Sequence, residues 1–250
     1  MSTQKIAWMA ADWPAPSHVR AGTTLRGSGI SQPPFEHFNL ALHVGDDSET
    51  VQANRATLRA ALALPSEPCW LEQVHSVVVV DAATPSERVL ADASYSHEVG
   101  KVCVVMTADC LPVLFCNRQG TRVAAAHAGW RGLADGILEA TLAQAGLLAA
   151  ETLAWLGPAI GAAVYEVGEE VKQAFIRQPM HDESAFVPTG PDKFMMDMYG
   201  LARQRLRASG IDSIYGGDHC TFSEPDSFYS YRRDGVTGRM ASLIWLDNPS

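Results

Sequence analysis

The sequence predicts one domain of the α/β or α+β class, in which short buried strands alternate with amphipathic helices. Three observations carry this. Apolar residues make up 47% and charged residues 19% of 250 positions, a globular balance that is neither disordered nor membrane-embedded. A chain of this length closes a core of its own, because the buried fraction of surface rises with size. Finally, runs of β-branched residues interleave with segments of helical period, with no linker-type break, internal repeat or low-complexity tract between them.

In chain order, Gly22–Phe38 (GTTLRGSGISQPPFEHF) reads as a long irregular loop of the kind that covers a site. Thr50–Leu62 has helical period. Val77–Val80, Val102–Met106, Leu111–Cys116 and Val123–Ala126 are apolar runs too short for helices and separated by turn residues, so they read as strands. Leu133–Ala145 puts Leu133, Ile137 and Thr141 on one face with Leu138 and Leu142 beside them, and Gly146 stops that helix. Val167–Ile176 and Met196–Ala208 are further helices, the second ending before Gly210, with Pro179 and Pro191 punctuating the connection. Asp234–Gly235 suggests a hairpin turn, and Ala241–Leu246 is a closing strand.

The formal charge of −9 repels a phosphodiester backbone, which excludes nucleic acid as the expected partner. Asp12 and two prolines interrupt Met1–Pro16, so it lacks a secretory apolar core. No uncharged apolar run reaches the roughly 20 residues of a membrane span. Five cysteines, an odd number scattered along the chain, suit a reducing compartment. These features set the expectation of a cytoplasmic protein with no membrane contact.

Three segments place a metal-ligating residue at a strand edge: LEQVHSVVVV with His75, TADCLPVLF with Cys110 and AAAHAGWRG with His127. Two imidazoles and a thiolate would fill three tetrahedral positions around zinc and leave the fourth for water or substrate. The spacing matches no compact CxxC or HExxH pattern, and a His or Cys beside an apolar strand is equally an ordinary packing residue. In the third segment, Gly129 and Gly132 let the chain turn before a helix starting near Leu133. Its free N–H groups, with Arg131, could hold an anion. Trp130 and Arg131 could instead simply pack and solvate the turn. Tyr229–Arg239 (YSYRRDGVTGR) offers aromatic and guanidinium groups for a planar or anionic ligand, or forms a structural hairpin.

Ordered blocks spanning nearly the whole chain then carry a resemblance. They include FNLALHVGDD at 38–47, NR at 54–55, WLEQVH at 70–75, ADASYS at 91–96 and MTADCLPVLFCN at 106–117. They continue with HAGWRG at 127–132, WLGPAIG at 155–161, YEVG at 165–168, LARQRL at 201–206 and YSYRRDGVTGRMASLIWL at 229–246. Together they resemble the laccase-domain or multicopper polyphenol oxidase family, also called YfiH-like, whose members are regarded as purine nucleoside phosphorylases. The resemblance implies an α+β fold, a single-domain αββα sandwich with mixed β-sheets over residues 1–250. It implies zinc held by His75, Cys110 and His127, which are then also the catalytic residues. It implies phosphorolysis of adenosine, inosine, guanosine and methylthioadenosine by inorganic phosphate, and deamination of adenosine to inosine.

Motif membership and residue type nominate Arg26, Arg55 and Arg131 as phosphate or ribose clamps, and Asn39, His43 and Gln73 as hydrogen-bonding groups for sugar or purine. Asp109 is either a general acid or base or the residue that orients its turn. Two departures from the family pattern touch the substrate side: Ser76 stands where glycine is usual, and the early arginine loop reads TTLRGSG at 23–29. Copper is the less favoured metal, because a multicopper oxidase consumes many imidazoles and this chain has eight histidines with no HxH pair. Other readings are a Cys110-dependent or metal-dependent amidase acting on a cell-wall precursor, a copper-dependent polyphenol oxidase, and a zinc-binding module without turnover.

Overall fold

The computed structural model describes residues 5–84, 89–177 and 183–248. In chain order the strands are β1 (Trp8–Ala10), β2 (Val19–Thr24), β3 (Val79–Asp81), β4 (Ala93–Ser96), β5 (Val102–Thr107), β6 (Leu111–Asn117), β7 (Val123–Ala128), β8 (Thr152–Leu156), β9 (Glu166–Gly168), β10 (Phe186–Gly190), β11 (Lys193–Met196), β12 (Ile214–Gly216) and β13 (Met240–Leu246). The helices are α1 (Ser48–Ala61), α2 (Trp130–Asp135), α3 (Ile137–Gln144), α4 (Glu169–Ile176), α5 (Met198–Ala208) and α6 (Tyr231–Asp234). An antiparallel sheet β1-β2-β13-β5 faces a mixed sheet β12-β8-β6-β7-β4-β3, and β10-β11-β9 forms a third, smaller sheet.

The layers follow from the two-residue period of the strands. In β5, Val102 and Val104 pack with Leu58 of α1 and with Leu243 and Trp245 of β13. Cys103 and Val105 point the other way and join Leu114, Cys116, Ala125 and Trp155 between the two sheets. In β6, Leu111, Val113 and Phe115 leave that interior to meet Leu133, Ile137 and Leu201 of the helical layer. The order is therefore helix, sheet, sheet, helices, the αββα sandwich that the resemblance implies. β6 is apolar at every position except its last because both of its faces are covered.

Several boundaries differ from the sequence reading for local reasons. Helix Leu133–Ala145 is two helices, because Gly136 adopts φ 99°, a left-handed conformation that interrupts the hydrogen-bond ladder. The first of the two begins at Trp130, earlier than expected. Gly22–Thr24, read as the start of a loop, belongs to β2 and pairs with both β1 and β13. Val77 and Val78 are exposed and precede β3, which runs Val79–Asp81. Val167 lies in β9, and α4 starts at Glu169. Met196 ends β11, and the next helix begins after Asp197, whose carboxylate caps it by accepting from Gly200 N–H. Pro191 sits in the turn of the β10–β11 hairpin, whereas Pro179 lies outside the described residues. At Asp234–Gly235 the chain makes no hairpin: Ser230 caps the single turn of α6 and Gly235, at φ 70°, ends it. Among the described residues, no helix is long and apolar enough to cross a membrane.

Candidate metal centre

Strand register assembles the centre. β6 and β7 are antiparallel with Pro112 opposite His127, so Cys110, just before β6, lies at the same sheet end as His127. β4 pairs with the other edge of β7, with Ala93 opposite Ala126, which sets Asp92 beside His127. His127 N–H donates to the Asp92 carbonyl at 2.7 Å. His75 comes from the turn before β3, which runs parallel to β4.

Asp92 is fully buried and ties these parts together. Its carboxylate accepts the main-chain N–H groups of Val74, His75 and Ser76 at 3.2, 3.0 and 2.6 Å. It also accepts the Ser76 hydroxyl at 2.8 Å and Nδ1 of His127 at 2.8 Å. Ser76 thus contributes both its N–H and its hydroxyl to this network. Burial works to raise the Asp92 pKa, but the hydrogen bonds from His127 and Ser76 outweigh it and hold the carboxyl at about 2. An ionised carboxylate at Nδ1 fixes the proton there and leaves Nε2 of His127 as the free donor.

The donor atoms of His75, Cys110 and His127 all lie within 4.8 Å of one another. Sγ of Cys110 and Nε2 of His75 are 3.8 Å apart, close to the roughly 3.3–3.8 Å between donors around a tetrahedral zinc. The His75 and His127 rings meet edge to face at 4.8 Å between centroids. His127 is buried, Cys110 half-buried, and His75 lies toward the open side. Gly129 leaves the space this requires: a Cβ there would stand 2.5 Å from Cδ2 of His75 and 3.2 Å from Sγ of Cys110. Two turns carry strained backbone beside the ligands, with φ 61° at His75 and 89° at Asp109. The donor set, the fixed His127 tautomer and the clearance at Gly129 fit a single divalent ion.

Electrostatics agree with a ligand pair ready to bind metal. Burial opposes ionisation of the Cys110 thiol, yet the adjacent His127 and His75 bring it down to about 6. Burial likewise opposes protonation of His127, but Cys110 and Asp92 raise it to about 9. Each group thus favours the charged form of the other, Cys110 toward thiolate and His127 toward imidazolium. The other core thiols move the opposite way, with Cys69 pushed by burial up to about 11 and Cys116 to about 12.

The triad lies in a cavity of about 470 Å³ whose lining also includes His43, Gln73, Met106, Trp130, Tyr231 and Arg239. Of the sequence-nominated contacts, His43 and Gln73 are therefore in the cavity wall. Gln73 spends one side of its amide on Met106, donating to its carbonyl at 2.8 Å and accepting from its N–H at 2.7 Å. Burial, then Arg239 and Arg55, lower the His43 pKa, which keeps this imidazole neutral at physiological pH. The remaining nominees sit outside the lining. Arg26 donates to the carbonyls of Glu36 and Pro225. Arg55 is buried, donates to the Leu40 carbonyl and stacks 3.7 Å from the centroid of Trp70. Asn39 is fully buried. Arg131 is exposed and lies over Trp130. Asp109 accepts the Thr221 hydroxyl and Arg232 N–H, both at 2.6 Å, so its two oxygens are taken by the turn at Thr221 and by α6. Residue-by-residue reading missed Asp92, although the ADASYS block contains it. It flagged the Tyr229–Arg239 segment without singling out Tyr231 or Arg239.

A family model described as multi-copper polyphenol oxidoreductase laccase matches residues 20–247. The chain is 54% identical to a purine nucleoside phosphorylase of Pseudomonas aeruginosa over 97% of this chain and 99% of that one. It is 53% identical to the purine nucleoside phosphorylase YfiH of Escherichia coli over 94% and 96%. Among solved structures, a Neisseria meningitidis protein superimposes with TM-score 0.92 at 50% identity, covering 96% of this chain and 99% of that one. YlmD of Geobacillus stearothermophilus does so with TM-score 0.87 at 30% identity, covering 97% of each.

Proposed function

This chain belongs to the multi-copper polyphenol oxidoreductase laccase family, and from that premise we propose that it is a zinc-dependent purine nucleoside phosphorylase, acting on adenosine, inosine, guanosine and methylthioadenosine. The observation that carries the reading is the convergence of His75, Cys110 and His127 on the wall of a cavity that also presents neutral polar, aromatic and cationic groups. The names of its bacterial relatives support the same activity.

His75, Cys110 and His127 would hold the zinc, which when bound would supply Lewis acidity toward an oxygen of phosphate or water. The residues of the chain do the rest. Neutral His43 offers one N–H and one lone pair to the ribose hydroxyls. Trp130 and Tyr231 present aromatic faces to the purine. Asp92 holds the His127 proton at Nδ1. Phosphorolysis then breaks the bond from C1′ to the base nitrogen, forms the C1′–O bond to phosphate, and returns a proton to the base. Water as nucleophile at C6 of adenosine would give inosine and ammonia, the second activity assigned here.

One observation favours a different reading. Cys110 lies beside two imidazoles, with Sγ 3.8 Å from Nε2 of His75, and His127 and His75 favour its thiolate; a thiol so placed suits a cysteine hydrolase, which fits an amidase on a cell-wall precursor. Activity that survives a chelator would select it. Polyphenol oxidation requires a trinuclear copper site in addition to a mononuclear one, and among the described residues only one cluster of three or more such ligands occurs.

The experiment is incubation of zinc-loaded protein with adenosine, with and without phosphate, and chromatography of the products. Adenine and ribose 1-phosphate only with phosphate, and inosine in either case, support the proposal. Neither product, with wild type and His75→Ala alike, overturns it.

A further inference from the structure

We infer that Arg239 is the seat of the oxyanion that enters this cavity, and that Asn39 is the positioning residue that aims it. The inference rests on the phosphorylase reading above and names the residues that would hold its anionic co-substrate.

Among the residues lining the cavity, Arg239 is the only permanent cation. It is largely covered, and burial lowers its pKa against the opposing influence of Cys110 and Asp109. No carboxylate forms an ion pair with it among the described residues, in contrast to Arg26, Arg205 and Arg233, each of which has one. Its protein hydrogen bonds fall on one nitrogen, with Nη1 donating to the carbonyls of Thr237 at 2.9 Å and Gly238 at 3.0 Å. Nε and Nη2 have no protein acceptor among the described residues. A covered guanidinium with no carboxylate in contact is costly to hold, and its open N–H groups form a planar fork suited to two oxygens of a tetrahedral anion. Inorganic phosphate has that shape and charge.

Asn39 cannot touch a substrate, because it is fully buried. Its Oδ1 accepts the main-chain N–H of Arg239 at 3.0 Å and that of Ala41 at 3.0 Å. Its Nδ2 donates to the Ala41 carbonyl at 3.1 Å and to Asp46 at 2.9 Å. Gly238 lets the strand approach this amide, since a Cβ there would lie 3.0 Å from Cβ of Asn39 and 2.7 Å from the Tyr229 ring. Asn39 thereby fixes the backbone from which the guanidinium projects, and it reaches the substrate only through Arg239.

The test is isothermal titration of zinc-loaded protein with inorganic phosphate, and separately with inosine, for wild type, Arg239→Gln, Arg239→Lys, Asn39→Ala and the double variant Arg239→Gln/Asn39→Ala. Losing charge-assisted hydrogen bonds to phosphate is expected to weaken phosphate binding about 10–100-fold in Arg239→Gln. Arg239→Lys falls between, since it keeps the charge and loses the fork. Inosine affinity and zinc content stay within about twofold of wild type, as neither depends on the guanidinium. Asn39→Ala weakens phosphate binding in wild type and adds nothing in the Arg239→Gln background, a non-additivity that a merely structural role would not give. Unchanged phosphate affinity in Arg239→Gln, or an equal loss of inosine and phosphate affinity, overturns the inference. Phosphate binding that depends on Arg239 without any phosphorolysis would uphold the seat while defeating the phosphorylase reading. Phosphorolysis with a phosphate KM indifferent to Arg239 would do the reverse.

Discussion

Nδ1 of His127 donates to a fully buried Asp92 carboxylate at 2.8 Å, and the same carboxylate gathers the three main-chain N–H groups of the His75 turn. One side chain therefore sets the tautomer of one ligand and the backbone of another. Partners of this kind are commonly worth 10–100-fold in metal affinity.

Asp92→Asn keeps the volume but turns an NH2 group toward donors on the His75 turn or on His127. Zinc affinity should fall about 10–100-fold, measured by competition with a chromophoric chelator. The carboxyl is depressed from 3.8 to about 2 on folding, so its contribution to stability is complete above pH 3.8 and is lost as pH falls through 2. Wild type should accordingly lose stability across that acid window more steeply than Asp92→Asn does. Equal zinc affinity in the two proteins would contradict the assigned role.

Gly129→Ala should cost zinc affinity by about 10-fold or more, because the new methyl occupies the position of the His75 ring. Gly27→Ala, where nothing lies within 4 Å of the added Cβ, is the control and should change stability by less than about 0.5 kcal/mol. Matching zinc affinities in the two variants would show that clearance at Gly129 is unimportant.

In metal-free protein Cys110 should be the cysteine that iodoacetamide alkylates most readily among Cys69, Cys103, Cys110 and Cys116. Its thiol lies at about 6, whereas burial raises the other three. The rate should be level above that pH and fall about tenfold per unit below it, and zinc should suppress it. Mass spectrometry of labelled peptides reads both effects. Faster labelling of a core cysteine, or no protection by zinc, would count against the ligand assignment.

Leu114 is fully buried between the two sheets. Leu114→Ala should destabilise the fold by about 2–5 kcal/mol through lost transfer energy and the cavity left behind, seen as a lowered Tm. Zinc affinity should be unaffected, since Leu114 packs between the two sheets and does not line the cavity; a parallel loss of zinc would mean that core and site are coupled.

The β-branched and apolar runs of β5, β6, β7 and β13 were legible because strands covered on both faces show no polar alternation. The ligand types were legible as chemistry, and their convergence was legible only through resemblance, since it depends on the register of β4, β6 and β7. Short strands such as β9, β10, β11 and β12 carry too few residues for a period to stand out. The break at Gly136 was hidden because the apolar face continues across it. Asp92 was hidden because a buried carboxylate in sequence looks like any surface acid, and its meaning lies in five donors, four from the His75 turn and one from His127 in β7. Asn39 and Arg55 show the converse: membership of a shared motif does not place a polar side chain in the cavity.

The most direct test of the metal centre is a crystal structure of the protein prepared with zinc, with anomalous data collected on both sides of the zinc edge. One peak bonded by Nε2 of His75, Sγ of Cys110 and Nε2 of His127, with a fourth position open to the cavity, is the expected result. A zinc peak ligated by other residues, or none on these three at saturating zinc, would contradict it.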